Sequence, residues 1–479
     1  MVEKFEFKDN LKKVFYGMIA AGVLGMVGAF FLFPDNHHSR FWSNILINTY
    51  FFTGIGIFGI FFVSANQLGY SGWITLVKRI YFSLSGFIKI GAIFGLLLVG
   101  GIWLHYHNLY DHWAVSEHAK ELDGTKQTFL NPTFWTIRVI TYFVLWIVLG
   151  TMTIKAIMRK DINNQPVYKR SKLMAALWIV VFAVTESFVS WDLIMSTDPH
   201  WYSTLFGWYN FASYGCAGFA FAILAVVYLK SKGYLPQVTE NHLHDMGKYM
   251  FAFSIFWTYL WFSQFMLQWY GNIPEDTNYW VKRFNIPLFK VTIFLALALN
   301  FLSPLLIFLK RGAKRNFKVA AFIAVLVIIG HWLDFFNMVM PEPNFPMVHE
   351  SAEEHHHAGI KPAGTALYAE NNHETATVAD VNAAKPEAVA VSDEHKDGKE
   401  GEARPMEEGK TPSEAKGEEG EEHEVIQTYA GFGIFEILIF SGFLGAFLLM
   451  FFTELSKDEL FNENDPYLKE SLRHHVEYA

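Results

Sequence analysis

The chain has 479 residues, of which 52% are hydrophobic, and it contains 47 Phe, 21 Tyr and 15 Trp, a composition that excludes an ordinary soluble globular protein. Its formal net charge is −8, but much of the acid lies in one segment near the C-terminus. Cys216 is the only cysteine, which excludes a disulfide framework, a Cys-x-x-Cys zinc site, an iron–sulfur cluster and covalently attached c-type haem.

Ten apolar runs follow one another along the chain, and each has the roughly 20 residues that a helix needs to cross a bilayer. They cover residues 14–33, 43–66, 83–104, 134–157, 172–194, 203–229, 249–269, 286–309, 319–339 and 432–455. The mixed-charge start MVEKFEFKDNLKK precedes a run that is long enough to span, which predicts no cleavable signal peptide. The sequence therefore predicts an all-α integral membrane protein with about ten transmembrane helices.

Positive charges gather on one side of these spans. They lie in the N-terminal tail and in the loops after spans two, four, six and eight: Lys4, Lys8, Lys12, Lys13, Lys78, Arg79, Arg159, Lys160, Lys169, Arg170, Lys230, Lys232, Lys248, Lys310, Arg311, Lys314, Arg315 and Lys318. The other short loops contain few Lys or Arg, and residues 195–202 contain none. The positive-inside rule places both termini in the cytoplasm.

One long connection, residues 342–430, separates a membrane domain (residues 1–341) from the tenth span and a cytoplasmic tail (residues 431–479). This connection is acidic, of low complexity and poor in aromatic residues, so it is predicted to be a disordered outer loop. Its His355–His357 run is read as a solvated tract, with metal binding as the alternative.

Ionisable side chains occur within the predicted spans, mostly in their outer halves. A charge at mid-bilayer costs about 2.5–3.5 kcal/mol even on lenient scales, so these groups are expected to share a polar pocket that opens outward. His331 and Asp334 are three residues apart and therefore lie on one helical face. The candidate proton-pathway residues are Glu186, Asp192, His331, Asp334, Glu436 and Arg138.

Each of these residues also has a structural interpretation. Asp192 and Glu436 lie near span ends and are typical of helix boundaries. Arg138 is expected either to reach the headgroups or to neutralise one of the acids. For the deeper Glu186 and His331, the alternative is an interhelical hydrogen bond. Three amides in the spans are expected to tie helices together: Gln264, Gln268 and Asn300.

Buried acids and a histidine are suited to proton transfer and to accepting the hydroxyl protons of a hydroquinone. A transmembrane b-type haem needs paired deep histidines. Only His331 is deep, since His105 and His107 lie at a boundary. Electrons from a quinol would therefore have to leave through a partner subunit on the outer side.

The stretch VSWDLIMSTDPHWYSTLFGWYNF at residues 189–211, together with the ten-span layout, resembles the NrfD/polysulfide reductase membrane subunits. Within that family it is most similar to the second such subunit of alternative complex III, the ActF type. The resemblance implies two four-helix bundles, spans two to five and six to nine, with the first and last spans peripheral. It also implies a quinol:cytochrome c type oxidoreductase complex of the bacterial cytoplasmic membrane.

The resemblance further implies the partners: an NrfD-like sister subunit, an iron–sulfur protein and c-type haem subunits, with no nucleic acid. The quinol-oxidising sister has a His-x-x-Val-Ser-x-Asp pattern and a later Pro-Pro pair. Here Glu186 stands at the histidine position, and Gly207 and Trp208 replace the prolines. These departures favour a proton route in this chain and quinol oxidation in the sister.

By the same resemblance the chain has no covalently bound cofactor, and haem and iron–sulfur clusters belong to the partner subunits. A quinone pocket is a secondary expectation, with four candidate residues: Asp192, His200, Trp201 and Tyr202. Two other functions are consistent with the residues. One is a stand-alone secondary transporter, which the lack of evident Gly- and Pro-broken span pairs disfavours. The other is a structural anchor for peripheral redox subunits.

Overall fold

The computed structural model describes residues 4–115, 118–122, 124–342 and 432–474. Within these ranges the regular secondary structure is helical, apart from one isolated bridge between Lys4 and Glu459. Ten helices are long and apolar enough to cross a membrane, which confirms the predicted all-α, ten-span class. The predicted disordered loop after Glu342 and its His355–His357 run lie outside the described residues.

We number the ten spans in chain order. They are α1 (Asp9–Leu32), α2 (His37–Leu68), α3 (Lys78–Trp103), α4 (Pro132–Ile157), α5 (Gln165–Thr197), α6 (Leu205–Ser231), α7 (Glu240–Gly271), α8 (Pro287–Phe308), α9 (Phe317–Val339) and α10 (Ile434–Leu455). Helices α2, α5 and α7 begin several residues before their apolar runs, because a helix satisfies its own backbone and continues past the hydrocarbon boundary.

Two spans are interrupted in their interiors by irregular turns. A 3-10 turn at Ser85–Phe87 interrupts α3, and a π turn at Ala298–Leu302 interrupts α8 just before Pro304. Shorter helices lie outside the spans: Trp73–Leu76, Asp111–Ala114, His118–Glu121, Gly124–Phe129, Pro274–Asn285, Arg311–Arg315 and Leu468–Leu472. The last turn of α5, Met195–Thr197, is also 3-10.

The spans form the two expected four-helix bundles. Helices α2, α3, α4 and α5 pack on one another, and so do α6, α7, α8 and α9. Helix α2 also packs against α6 and α9 and is buried along nearly its whole length, so it forms the interface between the bundles. The core there is largely aromatic, as in the stacking of Phe61 on Phe182 at 4.8 Å.

The first and last spans pair with each other at the edge of the bundles. A Cβ atom added to Gly22 would lie 2.3 Å from the Cα atom of Gly442, and one added to Gly25 would lie 2.7 Å from the Leu438 side chain. Small residues are what allow two membrane helices to approach this closely. Helix α10 in turn packs on α2 and α3, which attaches the pair to the first bundle.

The C-terminal tail crosses the end of the molecule that also holds the N-terminus, which we call the basic end. Asp465 binds Lys78 at 2.7 Å, the Asn462 amide donates to the Arg159 carbonyl at 2.7 Å, and His474 contacts Asp245 at 2.7 Å. These contacts join loops that the charge pattern assigned to one side. The other end, with the loops after α3, α5, α7 and α9, is called the opposite end.

Candidate functional site

Asp192 forms an ion pair with Arg138 inside the first bundle. Two Arg138 nitrogens contact the two carboxylate oxygens at 2.7 and 2.9 Å, and the Tyr142 hydroxyl donates to the same carboxylate at 2.7 Å. Asp192 is fully buried, and the guanidinium lies 3.9 Å from the centre of the Phe129 ring. Of the two roles expected for Arg138, the structure therefore shows neutralisation of an acid, and Asp192 is buried inside the protein near the end of its helix.

Three aromatic donors fix the backbone around this pair. Trp135 donates its indole N–H to the Asp192 carbonyl at 2.7 Å, and Tyr110 donates its hydroxyl to the Leu193 carbonyl at 2.8 Å. Trp113 donates to the Ser196 carbonyl at 2.9 Å. These bonds satisfy carbonyls at the end of α5 that have no partner within the helix. The sequence analysis did not identify these donors, which lie more than fifty residues away along the chain.

Glu186 lies deeper, where α5 meets α2 and α6. It is 4% exposed; one carboxylate oxygen accepts from Ser187 at 3.2 Å, and Oε1 has no hydrogen-bond partner among the described residues. The hydroxyls of Tyr50 and Tyr214 are close enough to interact electrostatically with the carboxyl group. Both tyrosines line a cavity of about 10 Å³, the size of a single water site.

Asp334 lies in the second bundle and is held by neutral donors. The Tyr209 hydroxyl, the Ser213 hydroxyl at 2.8 Å and the Trp257 indole N–H at 2.8 Å all donate to its carboxylate. Among the described residues no Lys, Arg or His nitrogen lies within 4 Å of it. Asp334 is thus a buried acid that is hydrogen-bonded but not ion-paired.

His331 completes this cluster, as its spacing from Asp334 predicts. Its Nδ1 lies 3.0 Å from the Ser213 hydroxyl, which joins it to Asp334, and 3.3 Å from the Asn300 amide nitrogen. Asn300 lies in the π turn of α8, a type of irregularity that is frequent at functional sites. The prediction that His331 and Asp334 share a face is confirmed.

A cavity of about 20 Å³ extends from Asp334 toward the opposite end. Its lining includes Tyr209, Trp257, Gln264, Tyr279, Arg283, Asp334 and Asn337. The predicted role of the glutamines as ties between helices fits their contacts, because Gln264 accepts from Ser203 at 3.4 Å and Gln268 accepts from Trp280 at 2.6 Å.

The cavity ends at an ionic cluster formed by Asp198, Lys282, Arg283 and Glu342. Lys282 contacts Asp198 at 3.0 Å and Glu342 at 2.8 Å, and Arg283 contacts Glu342 at 3.1 Å. Arg283 also donates to the Asn337 and Met338 carbonyls, at 2.9 and 2.8 Å, so it caps the end of α9.

Burial and charge shift the protonation equilibria of this ionic cluster. Burial by itself would raise the pKa of Asp198, but the charges of Lys282, Arg283 and His200 outweigh it, so that pKa lies below its ordinary value. Burial lowers and the two carboxylates raise the pKa of Lys282, with a net increase. For Glu342, burial and the nearby Asp198 charge raise the pKa above its ordinary value despite the two cations.

The sequence analysis did not identify this ionic cluster. Its charges come from the α5–α6 turn, the Pro274–Asn285 helix and the segment after α9. The only feature of the sequence that could have indicated this cluster was the Lys282–Arg283 pair, which lies in a loop predicted to have few positive charges.

Glu436 forms a separate pair with Arg40. The guanidinium of Arg40 contacts both carboxylate oxygens, at 2.6 and 2.7 Å, and the Asn44 amide lies 3.2 Å away. Glu436 also accepts from the Gly433 backbone N–H at 2.8 Å and so caps its own helix. This pair connects α10 to α2; the sequence analysis did not identify Arg40.

The expectation of one shared outward pocket for all these acids is wrong. The structure places them in four clusters: Arg138–Asp192, Glu186 with Tyr50 and Tyr214, Asp334 with His331, and Arg40–Glu436. The two cavities beside Glu186 and Asp334 have no lining residue in common. Each acid takes its partners from the helices next to it, because those side chains are the ones within hydrogen-bonding reach.

The four candidate quinone-binding residues differ in their exposure and in their contacts. Trp201 is 2% exposed and stacks on Tyr279, with ring centres 4.0 Å apart. Tyr202 is 60% exposed with the Lys126 ammonium 5.0 Å from its ring centre, and His200 is exposed as well. Of the set, only Tyr202 and His200 are exposed, and Asp192 faces Arg138.

Comparison of the chain with protein-family models and with curated proteins gives no match. The resemblance of residues 189–211 to the NrfD/polysulfide reductase subunits stays a prediction from the sequence.

Proposed function

We propose that this chain is a membrane subunit of a respiratory quinol:cytochrome c type oxidoreductase complex, in which it provides a proton route through its second bundle. In this proposal an NrfD-like sister subunit oxidises quinol, and an iron–sulfur protein and c-type haem subunits carry the electrons. The membrane is the bacterial cytoplasmic membrane, with both termini inside. The observation that carries the proposal is the Asp334 carboxylate, which is buried, held only by neutral donors, and lines a cavity.

An acid in this environment can exchange a proton without leaving a cation unpaired. Asp334 is linked through the Ser213 hydroxyl to His331, which supplies a neighbouring proton donor or acceptor. In the other direction the cavity reaches Arg283, which contacts Glu342. The cavity therefore leads from Asp334 toward the opposite end, which is the side from which we propose that Asp334 exchanges its proton.

Glu186 is proposed as a second, separate proton carrier. One of its carboxylate oxygens has no hydrogen-bond partner among the described residues, and the nearby Tyr50 and Tyr214 line a cavity with space for a single water. Asp192 is assigned a fixed charge, because Arg138 and Tyr142 occupy both of its oxygens. That occupancy supports placing quinol oxidation in the sister subunit.

The test is Asp334→Asn in the native complex, with protons released per quinol oxidised and turnover as readouts. We expect the complex to assemble with its full haem content while proton release or turnover falls about a hundredfold or more, the lower end of the range for loss of an acid–base group. The matched control is Asp161→Asn, which removes an exposed acid at the basic end. Unchanged proton release and turnover in Asp334→Asn would reject the role.

A secondary transporter is the competing proposal, and the irregular turns in α3 and α8 favour it, because transporters often contain broken helices. These two spans do not occupy corresponding positions in the bundles, however, which weakens the argument. Purification of the native membrane assembly separates the two proposals. Haem and iron–sulfur spectra that co-purify with the chain support the respiratory complex, whereas a homo-oligomer without them supports the transporter.

A further inference from the structure

An apolar groove lies beside the α1–α10 pair, toward the basic end. It has a volume of about 480 Å³, within the range of ligand pockets. Its walls are hydrocarbon, with the Tyr228 side chain as the only polar one, and include Phe15, Phe221, Ala225, Val325, Leu444 and Leu448. Val325 and Ile329 are 43% and 42% exposed, so the groove opens sideways toward lipid.

The groove exists because glycines position α1. The close approach at Gly22 and Gly442 fixes α1 against α10 rather than against the second bundle. The first turns of α1, with Leu11 and Phe15, then face α6 across the groove. Along α10 the walls extend from Phe440 to Phe452, about 18 Å of helix at 1.5 Å per residue. That length is close to one leaflet of a hydrocarbon core about 30 Å thick.

A polar mouth continues the groove at the basic end. This second cavity, of about 360 Å³, shares Leu11 and Tyr228 with the groove. Besides Tyr228, its polar lining consists of Glu6, Lys8, Asn10, Lys232 and Tyr234. Among the described residues no carboxylate oxygen lies within 4 Å of the Lys8 or Lys232 ammonium, whereas the neighbouring Lys12 is paired with Asp9 at 2.8 Å. Two lysines against one glutamate leave the mouth with a net positive charge.

We propose that the groove and mouth together bind one anionic phospholipid, with an acyl chain in the groove and the phosphate beside Lys8 and Lys232. A one-leaflet length fits an acyl chain, whereas a transmembrane helix of another subunit would need a contact across the whole bilayer. The sideways opening admits a molecule from the membrane, and lysines at the boundary attract anionic headgroups. The proposal is independent of the redox assignment.

The charged half of the site is tested with the double variant Lys8→Gln/Lys232→Gln of the full chain. Native mass spectrometry measures retention of phosphatidylglycerol and of phosphatidylcholine with identical acyl chains. We expect the preference for phosphatidylglycerol to fall about tenfold or more, because the variant loses two juxtamembrane lysines that attract the anionic headgroup. The matched control is Lys13→Gln/Lys318→Gln, which removes two exposed lysines from the same end and should keep the preference.

The apolar half is tested by filling the groove with Leu444→Trp and, independently, with Leu448→Trp, so that one misfolded variant does not decide the result. A variant that elutes as a single species should lose both lipids. Undiminished phosphatidylglycerol binding in the lysine variant, or in both tryptophan variants, overturns the proposal. It is also overturned if inorganic phosphate displaces phosphatidylglycerol, or if filling the groove releases a co-purifying polypeptide while lipid binding stays unchanged.

Discussion

The buried aspartates of the two bundles have different bonding partners. In the first, Asp192 faces Arg138, so the carboxylate and guanidinium cancel each other's charge at 2.7 Å. In the second, Asp334 is held by a tyrosine, a serine and a tryptophan, with no cation within 4 Å among the residues described. The first arrangement fixes a charge, since removing either partner leaves the other unpaired in a dry site.

The second arrangement leaves the charge of Asp334 adjustable, since hydroxyl donors can rotate to serve either protonation state. A buried acid in a membrane span is therefore not by itself a proton carrier. What matters is whether a cation neutralises it. By this criterion we propose Asp334 and Glu186 as exchangeable groups, whereas Asp192 and Glu436 are each paired with an arginine.

The largest expected effect comes from breaking the ion pair of the first bundle. Arg138→Met leaves Asp192 buried and unpaired, so we expect the free energy of unfolding to fall by about 3–5 kcal/mol. Denaturant titration of the purified chain in detergent measures this free energy. Arg159→Met, which removes an exposed pair, is the control and should leave stability unchanged. The double variant Arg138→Met/Asp192→Leu should recover most of the loss; a loss equal to that of the single variant would contradict the assignment.

Asp334→Asn is expected to lower the free energy of unfolding by less than Arg138→Met does, because it leaves no charge unpaired. The amide keeps one acceptor oxygen and turns an N–H₂ group toward the donors, so we expect a loss of about 1–3 kcal/mol in the same titration. The comparison between bundles fails if Asp334→Asn destabilises the chain as much as Arg138→Met. In that event an unseen charge interaction would be holding Asp334.

The smallest effect concerns the ionic cluster at the opposite end. The folded pKa of Asp198 lies below its ordinary value of 3.8, so its interactions with Lys282 and Arg283 stabilise the fold above that pH. This contribution disappears as the pH falls through the folded pKa. Asp198→Asn should therefore flatten the loss of stability below about pH 3.8, measured as the thermal midpoint against pH. Asp276→Asn, in the adjacent helix, is the control, and an identical acid limb in both variants would contradict the assignment.

Local features of the candidate site were predictable from the chain. The i, i+3 spacing of His331 and Asp334 was enough to place both on one helical face, and Ser213 joins them there. The burial of Glu186 followed from its position in the middle of an apolar run. The partners of the acids were not predictable, because Arg40 is 396 residues from Glu436 and Lys282 is 84 residues from Asp198.

The ten spans, the all-α class and the set of loops at the basic end follow from the order of the residues alone, because run length and the distribution of Lys and Arg are local properties. Which acids are neutralised by a cation depends instead on how the helices pack. Asp192 and Asp334 look alike along the chain, as each is an aspartate in the half of an apolar helix that lies toward the opposite end. They differ because helix packing brings an arginine to the first and only neutral donors to the second.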